Sequence, residues 1–229
     1  MKYEIIGGTV PYVEFTLDNN HSLYTQRGGM CWRDEEIEMQ TNSKNGFLGG
    51  LTRMISGDSF FMNTYIARKN GVKIAFASTV PGEIIPIDLT NHPGIIAQKG
   101  AFLCAEDSVK FEVTLTKKFG AGLFGGEGFV LQDIYGSGMA FLEVDGNICK
   151  KELKAGESIL IDTGNIVYFD KTCTYSIETV KGFKNVLFGG EGFFLTKITG
   201  PGVVVMQSQN LRDFANRLIP FLPTNKNND

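Results

Sequence analysis

Basic residues and histidines are scarce in this sequence. The 229 residues contain 22 lysines and arginines against 25 aspartates and glutamates, for a net charge of −3. No excess of positive charge is available to neutralise a phosphate backbone, so nucleic acid is not an expected partner. The two histidines, His21 and His92, are too few for the convergent His-x-His pattern of a metal-binding cupin. They are expected in surface turns, and no cofactor is expected.

Paired cysteines and long apolar runs are also missing. The four cysteines form no CxxC pair, which argues against a zinc or redox motif and favours reduced thiols packed as small apolar groups: Cys31, Cys104, Cys149 and Cys173. No stretch approaches the roughly 20 apolar residues that span a bilayer. The first ten residues, MKYEIIGGTV, lack the features of a signal peptide. The expected location is cytoplasmic.

Glycine is abundant, with 28 residues, and part of it lies in a repeated motif. LFGGEGF occurs at 123–129 and again at 187–193, and eleven of sixteen positions are identical between 123–138 and 187–202. An earlier copy aligns 17–39 with 89–111, which makes SGDSFFM (56–62) the counterpart of the glycine run. The chain therefore reads as a triplication.

These repeats predict one all-β domain. Its repeats would cover about 10–76, 80–146 and 147–206 around a pseudo-threefold axis, in a double-stranded β-helix or β-prism-like arrangement. Turn residues at Asp18–Asn20, Asn70-Gly71, Gly136–Gly138 and Asp145-Gly146 predict hairpins.

A short helix is predicted after the last repeat, at about 210–220. Asn210 is its expected N-cap and Asp213 its third residue. Its apolar face is expected to dock on a sheet, with binding to a partner as the alternative. The polar tail 224–229 is expected to be disordered.

Several segments resemble one known family, in the order in which that family has them. They are GGMCWRD (28–34), GGLTRMISGDSFFMNTYIA (49–67), the two LFGGEGF motifs with their downstream G-x-G, and VVVMQSQNLRDFANRLIPFLP (203–223). The chain resembles the bacterial and archaeal relatives of the yeast altered-inheritance-of-mitochondria protein, a family long treated as a domain of unknown function. The resemblance implies three repeats similar to the subunit of the tryptophan-responsive RNA-binding attenuation protein, together with self-association. It implies no activity.

Catalytic motifs are not apparent. The glycine runs lack the Gly-Lys-Ser/Thr of a P-loop and continue into β-branched and aromatic residues rather than a helix. Ser137 lies in a Gly-Ser-Gly turn without the G-x-S-x-G elbow, and a thiol nucleophile has no clear base. The sequence predicts a protein that is not an enzyme.

Two sets of equivalent acids suggest a cation site as an alternative. Three carboxylates on a threefold axis could hold a hard cation such as Ca²⁺, whereas acids at turns more often accept backbone N–H bonds. The candidates are Asp58, Glu127 and Glu191, and the second equivalent set is Asp34, Glu106 and Asp170.

Lysine and large apolar residues precede the glycine element of each repeat. Such loops could form an apolar contact surface, or their phenylalanines could turn inward and close the end of the fold. The interaction residues are Phe47, Leu48, Leu123, Phe124, Leu187 and Phe188. The leading hypothesis is a non-enzymatic, homo-oligomeric scaffold or interaction module, with a protein or membrane surface as further partner and a membrane-proximal location as an extension. The alternative is a β-barrel that binds a small ligand or cation.

Overall fold

The computed structural model describes residues 1–26, 28–42, 62–117, 129–179 and 194–222. The strands in these ranges are β1 (Lys2–Ile6), β2 (Tyr12–Leu17), β3 (Ser22–Gln26), β4 (Met30–Arg33), β5 (Ile37–Asn42), β6 (Met62–Ala67), β7 (Val72–Ala77), β8 (Gly82–Asp88), β9 (Ile95–Gln98), β10 (Phe102–Glu106), β11 (Val109–Lys117), β12 (Phe129–Gly136), β13 (Met139–Asp145), β14 (Ile148–Leu153), β15 (Ser158–Asp162), β16 (Ile166–Asp170), β17 (Thr174–Thr179), β18 (Phe194–Thr199) and β19 (Gly202–Gln207). Helix α1 covers Leu211–Leu218, and short 3-10 turns cover Lys99–Ala101, Thr163–Asn165 and Ile219–Phe221. The all-β prediction is confirmed.

Alternation of apolar and polar residues explains the half-buried strands. In β2, Val13, Phe15 and Leu17 are fully buried while the residues between them are half-buried. Central strands are buried on both faces, and the first six residues of β12 are all buried. The pattern follows from the two-residue period of a strand and from the number of layers that cover it.

The strands form four antiparallel sheets. Sheet 1 has the order β1-β2-β7-β4, and sheet 2 the order β5-β6-β3-β10-β13-β8. Sheet 3 has the order β11-β12-β9-β16-β19-β14, and sheet 4 the order β15-β18-β17. Within the described ranges no sheet closes on itself, and β4 and β15 are end strands of sheets 1 and 4.

The same strand pairings recur along the chain. A six-strand segment begins at β2, at β8 and at β14, and in each segment the first strand pairs with the sixth and the fourth with the fifth. Two junctions join successive segments through β3–β10 and β9–β16. Sheets 2 and 3 are each built around one of these junctions.

Three apolar clusters form the core, and each lies between neighbouring sheets. The first joins sheets 1 and 2, where Phe15 meets Phe141 edge-to-face with ring centroids 4.9 Å apart. The second joins sheets 2 and 3. The third joins sheets 3 and 4, where the ring centroids of Phe169 and Tyr175 lie 5.3 Å apart. None of these three clusters of described residues joins sheet 4 to sheet 1.

The predicted turns form, but they are not hairpins between paired strands. Asn20, Gly71 and Gly146 have positive φ values of 67°, 75° and 75°, the left-handed conformation expected from their residue types. Each turn, including Gly136–Gly138, passes the chain from one sheet to another, as β6 to β7 does. The hairpin prediction is wrong because a tight turn between two apolar strands serves equally well as a corner between packed sheets.

Helix α1 begins and ends close to the prediction, but its apolar face is not docked. The Asp213 N–H donates to Asn210 Oδ1 at 3.4 Å, in the N-cap geometry. However, Leu211, Phe214 and Leu218 are each 46–47% exposed. The docking expectation is wrong because the strands of sheet 3 already bury their inward faces without the helix. The predicted disordered tail 224–229 lies outside the described residues.

Candidate functional site

The nine predicted site residues all lie outside the described ranges. They occupy three segments, 43–61, 118–128 and 180–193, that link β5 to β6, β11 to β12 and β17 to β18. They are Phe47, Leu48, Asp58, Leu123, Phe124, Glu127, Leu187, Phe188 and Glu191. Both the apolar contact surface and this cation site stay predictions. The strand pairs do show that each segment connects two adjacent antiparallel strands.

The second set of equivalent acids is described, and all three have the same structural role. Asp34 Oδ2 accepts the N–H of Lys73 at 2.8 Å, and Glu106 Oε2 accepts the N–H of Met139 at 2.6 Å. Asp170 Oδ2 accepts the N–H of Val203 at 2.7 Å. Each acid therefore holds the beginning of the strand that pairs with its own.

The two histidines lie in turns, as expected. His21 Nδ1 accepts the N–H of Asp18 at 3.4 Å, and His92 Nδ1 accepts the N–H of Gly94 at 3.1 Å. His92 Nε2 also lies 3.5 Å from Asp170 Oδ1. Within the described ranges, no three histidine, cysteine or acidic side chains come together as a metal site would require.

A charged cluster braces the second junction. Lys171 Nζ donates to Asp133 Oδ2 at 2.5 Å and lies 5.2 Å from the centre of the Tyr135 ring. Tyr135 donates its hydroxyl hydrogen to Glu112 Oε1 at 2.7 Å, and this bond, with a smaller contribution from burial, raises the pKa of the Tyr135 hydroxyl. The cluster connects β11 and β12 to the residue after β16. It holds no apparent nucleophile, and its geometry is that of a structural ion pair.

The cysteines divide into two pairs. Cys104 and Cys173 are buried, and burial raises the pKa of both thiols, well above the usual value for Cys104. Low thiolate content makes them unreactive packing residues, as predicted. Cys31 and Cys149 are exposed, so the packing prediction is wrong for them, because β4 and β14 are end strands of their sheets within the described residues.

A small cavity of about 210 Å³ lies beside the first junction. Glu143 Oε2 in its wall accepts both the N–H and the hydroxyl of Thr79 at 2.9 Å. The other lining residues are Thr25, Gly28, Gly29, Lys99, Gly100, Phe102 and Leu103. Sequence reasoning missed this cavity because its walls come from four separate parts of the chain that only the pairing of distant strands brings together.

Several large apolar side chains are exposed in the described part of the chain. At the C-terminal end, beyond α1, Ile219 is 58% and Phe221 is 85% exposed. On two of the end strands, Trp32 of β4 is 37% exposed and Leu160 of β15 is 56% exposed, and sequence reasoning did not identify these strands as contact surfaces. None of the described helices is long and apolar enough to cross a membrane.

The fold is that of an all-β protein of antiparallel sheets with a short C-terminal helix. The chain belongs to the AIM24 family, described as mitochondrial biogenesis AIM24, whose family model matches residues 3–209. This confirms the resemblance inferred from the sequence motifs.

Two relatives from one bacterial species are similar over nearly the whole chain. An uncharacterized protein of Streptococcus pyogenes serotype M6 is 32% identical over 225 residues, which cover 95% of this chain and 89% of the relative. An X-ray crystal structure of a Streptococcus pyogenes protein has a TM-score of 0.79 and 27% identity. That match covers 96% of this chain and 99% of the other.

Proposed function

We propose that this protein is a non-enzymatic, self-associating scaffold or interaction module. The observation that carries the proposal is the exposed apolar face of α1 and of the residues after it. Leu211, Phe214 and Leu218 lie on one side of the helix, and Ile219 and Phe221 continue the apolar surface.

This helix needs a partner for physical reasons. Isolated helices much shorter than 12 residues are marginal in water, and most of their stability comes from packing an apolar face. Large contiguous apolar surfaces of this kind mark interaction sites in soluble proteins. Burial contributes roughly 25 cal/mol per Å² of apolar surface, so covering several half-exposed side chains favours association.

A threefold internal repeat is part of the proposal. Its support is the strand pairing that recurs three times and the three acids that each accept one backbone N–H of an equivalent strand. In each repeat of such a body, a predicted Phe-Leu-Gly segment connects two adjacent antiparallel strands. Repetition of one contact element is useful to a scaffold because weak contacts act together.

Sedimentation velocity over a wide range of protein concentration tests self-association. Wild type is expected to shift to larger species as concentration rises, and Phe214→Ser/Leu218→Ser to shift less. Val10→Ser is the matched control, because Val10 is 51% exposed but far from the helix in sequence. A wild type that remains monomeric throughout and binds no other surface would overturn the proposal.

Liposome flotation tests the membrane-proximal form of the proposal. Wild type and the triple variant Phe47→Ala/Phe124→Ala/Phe188→Ala would be compared on neutral and anionic vesicles. Binding that the triple variant loses would support a membrane-facing apolar surface. Equal liposome binding by the two proteins would show that these three side chains do not contact the membrane.

A second candidate function, binding of a small ligand, is favoured by the cavity beside Lys99 and Glu143. Its volume is below the roughly 300–1,000 Å³ typical of small-molecule sites, so only a compact polar ligand would fit. Glu143 is the only acid among its lining residues, so a cation has one carboxylate available there. A thermal-shift series with Ca²⁺, Mg²⁺, Mn²⁺ and inorganic phosphate tests this candidate, with Glu143→Gln as the variant for the cations and Lys99→Ala as the variant for phosphate. A rise in melting temperature that the matching variant removes would support it.

A further inference from the structure

Strands β4 and β15 leave one sheet divided. Within the described ranges, β4 pairs only with β7, and β15 pairs only with β18. In the other two positions the corresponding strands pair with each other, as β10 with β3 and β16 with β9. Apart from β1, sheets 4 and 1 therefore contain the six strands of one further sheet, separated where the junction would lie.

The two existing junctions share one register. In the first, Tyr24 lies opposite Ala105. In the second, Ile96 lies opposite Phe169. The repeat alignment, which maps 24 onto 96 and 105 onto 169, maps Ile96 further onto Leu160. It equates Ala105 with Arg33, so a third junction would place Leu160 opposite Arg33.

The neighbouring pairs follow from the same register. Thr25 lies opposite Cys104 in the first junction, and Ala97 lies opposite Tyr168 in the second. The third junction would place Ile161 opposite Trp32. The edges of β4 and β15 are thus complementary in register.

Exposure shows that these two edges are not covered by each other. Cys104 is 0% exposed, whereas Trp32 at the equivalent position is 37% exposed. Ile96 is 7% exposed, whereas Leu160 is 56% exposed. Apolar side chains and backbone groups on an open edge are the features through which strands add to a sheet.

We infer that a second copy of this chain completes the divided sheet, with β15 of one copy pairing antiparallel with β4 of the next. This inference rests on the proposed self-association and specifies which residues of the two chains would lie opposite each other. The occupant is a second copy because each chain carries one edge of each type, and the two edges match the register of its own internal junctions. The contact joins unlike surfaces, so it generates rings or open chains of subunits.

Disulfide trapping between two different variants tests this pairing. In a Cys31→Ser/Cys149→Ser background, which removes the exposed thiols, Arg33→Cys is prepared in one chain and Leu160→Cys in another. Directly opposed residues on antiparallel strands bring Cβ atoms to about 4.5–5.5 Å, close enough for a disulfide after small adjustment. Mixing the two variants under mild oxidation is expected to give a 33–160 crosslinked dimer, identified by peptide mass.

The control places one cysteine on a different exposed end strand, whose residues the alignment does not pair with β15. Met39 is 46% exposed on β5, which is the end strand of sheet 2 in the described residues. Met39→Cys mixed with Leu160→Cys is expected to crosslink several-fold less than the 33–160 pair.

The outcomes separate this inference from the proposed function. Association in sedimentation without a 33–160 crosslink above the control overturns the edge pairing and leaves the scaffold proposal standing. An internal 33–160 disulfide in a doubly substituted chain, with no dimer in the mixture, would show that the sheet closes within one chain and also overturns the inference. Absence of any association removes both.

Discussion

The first junction and the open edge of β4 place equivalent residues in opposite surroundings. Cys104 and Ala105 are both fully buried between two paired strands. Trp32 is 37% exposed and Arg33 is exposed, and their strand pairs on one side only within the described residues. The sequence follows this difference, since a small thiol and a methyl group fill the closed position while an indole and a guanidinium occupy the open one.

The comparison teaches that aligned positions can have different structural roles when one strand has neighbours on both sides and the other has a neighbour on one side only. A buried junction selects small or apolar side chains because interiors are close-packed. An edge tolerates a charge, and charges on edge strands limit indiscriminate pairing. Arg33 is consistent with an edge that accepts a specific partner strand.

The largest expected effect comes from exchanging these residues. Ala105→Arg should cost about 4 kcal/mol or more in the free energy of unfolding, because it places an unpaired charge in the core. Arg33→Ala removes the hydrogen bonds that Arg33 donates to the carbonyls of Asp34 and Ile37 and should cost about 0.5–1.5 kcal/mol. Urea denaturation of both variants measures the contrast. Similar costs at the two positions would contradict the difference in burial.

The next largest effect is expected from loss of the Lys171–Asp133 ion pair at the second junction. Lys171→Met leaves Asp133 largely buried beside β9 without its cation, which should cost about 1–3 kcal/mol. The double variant Lys171→Met/Asp133→Asn removes the charge as well and should recover part of that loss. Chemical denaturation measures both. An unchanged midpoint in Lys171→Met would show that the ion pair contributes nothing to the junction.

The three equivalent acids offer a matched series. Glu106→Ala and Asp170→Ala each remove a part-buried acceptor of a backbone N–H and should cost about 1–2 kcal/mol. Asp34→Ala removes the same contact at the exposed edge and should cost less than about 1 kcal/mol. Glu106→Gln and Asp34→Asn are the controls that keep an acceptor. Thermal unfolding ranks the variants by stability. A larger loss of stability in Asp34→Ala than in Glu106→Ala would contradict the expected difference between the exposed edge and the buried junction.

The smallest effect concerns the start of α1. Burial, and to a lesser degree the nearby Glu143, raises the pKa of the Asp145 carboxyl, whose Oδ2 accepts the Leu211 N–H at 3.2 Å. A raised folded-state pKa stabilises the fold below the unfolded pKa, and this contribution is lost as pH rises through the folded pKa. Wild type should therefore lose stability relative to Asp145→Asn as pH rises through that range. Denaturation at several pH values measures the difference in unfolding free energy between the two proteins. A wild type that gains stability relative to Asp145→Asn as pH rises would contradict the prediction.

Part of this molecule could be predicted from the sequence, and the reasons are local. Period-two patterns such as that of β2 predict strands because burial on one face is a local property. The N-cap at Asn210 was predictable for the same reason. The sequence alignment also grouped Asp34, Glu106 and Asp170, and each of these acids accepts one backbone N–H near the beginning of the neighbouring strand.

The remainder depends on contacts between distant segments. Whether Asn70-Gly71 makes a hairpin or a corner depends on which sheet receives β7, and a turn sequence does not encode that choice. The sequence left open whether α1 docks on a sheet or binds a partner, because an amphipathic pattern shows that a helix has a partner, not where the partner lies. The unlike surroundings of Cys104 and Trp32 follow from distant strand pairing, because β10 pairs on both sides whereas β4 pairs only with β7 within the described residues.

Hydrogen exchange measured at several protein concentrations shows whether β4 and β15 pair between chains. Such pairing predicts that backbone amides of Met30–Arg33 and Ser158–Asp162 exchange more slowly at high concentration, while those of β10 and β9 keep the protection that they already have at low concentration. Unchanged exchange in β4 and β15, at concentrations where sedimentation shows association, would contradict this pairing.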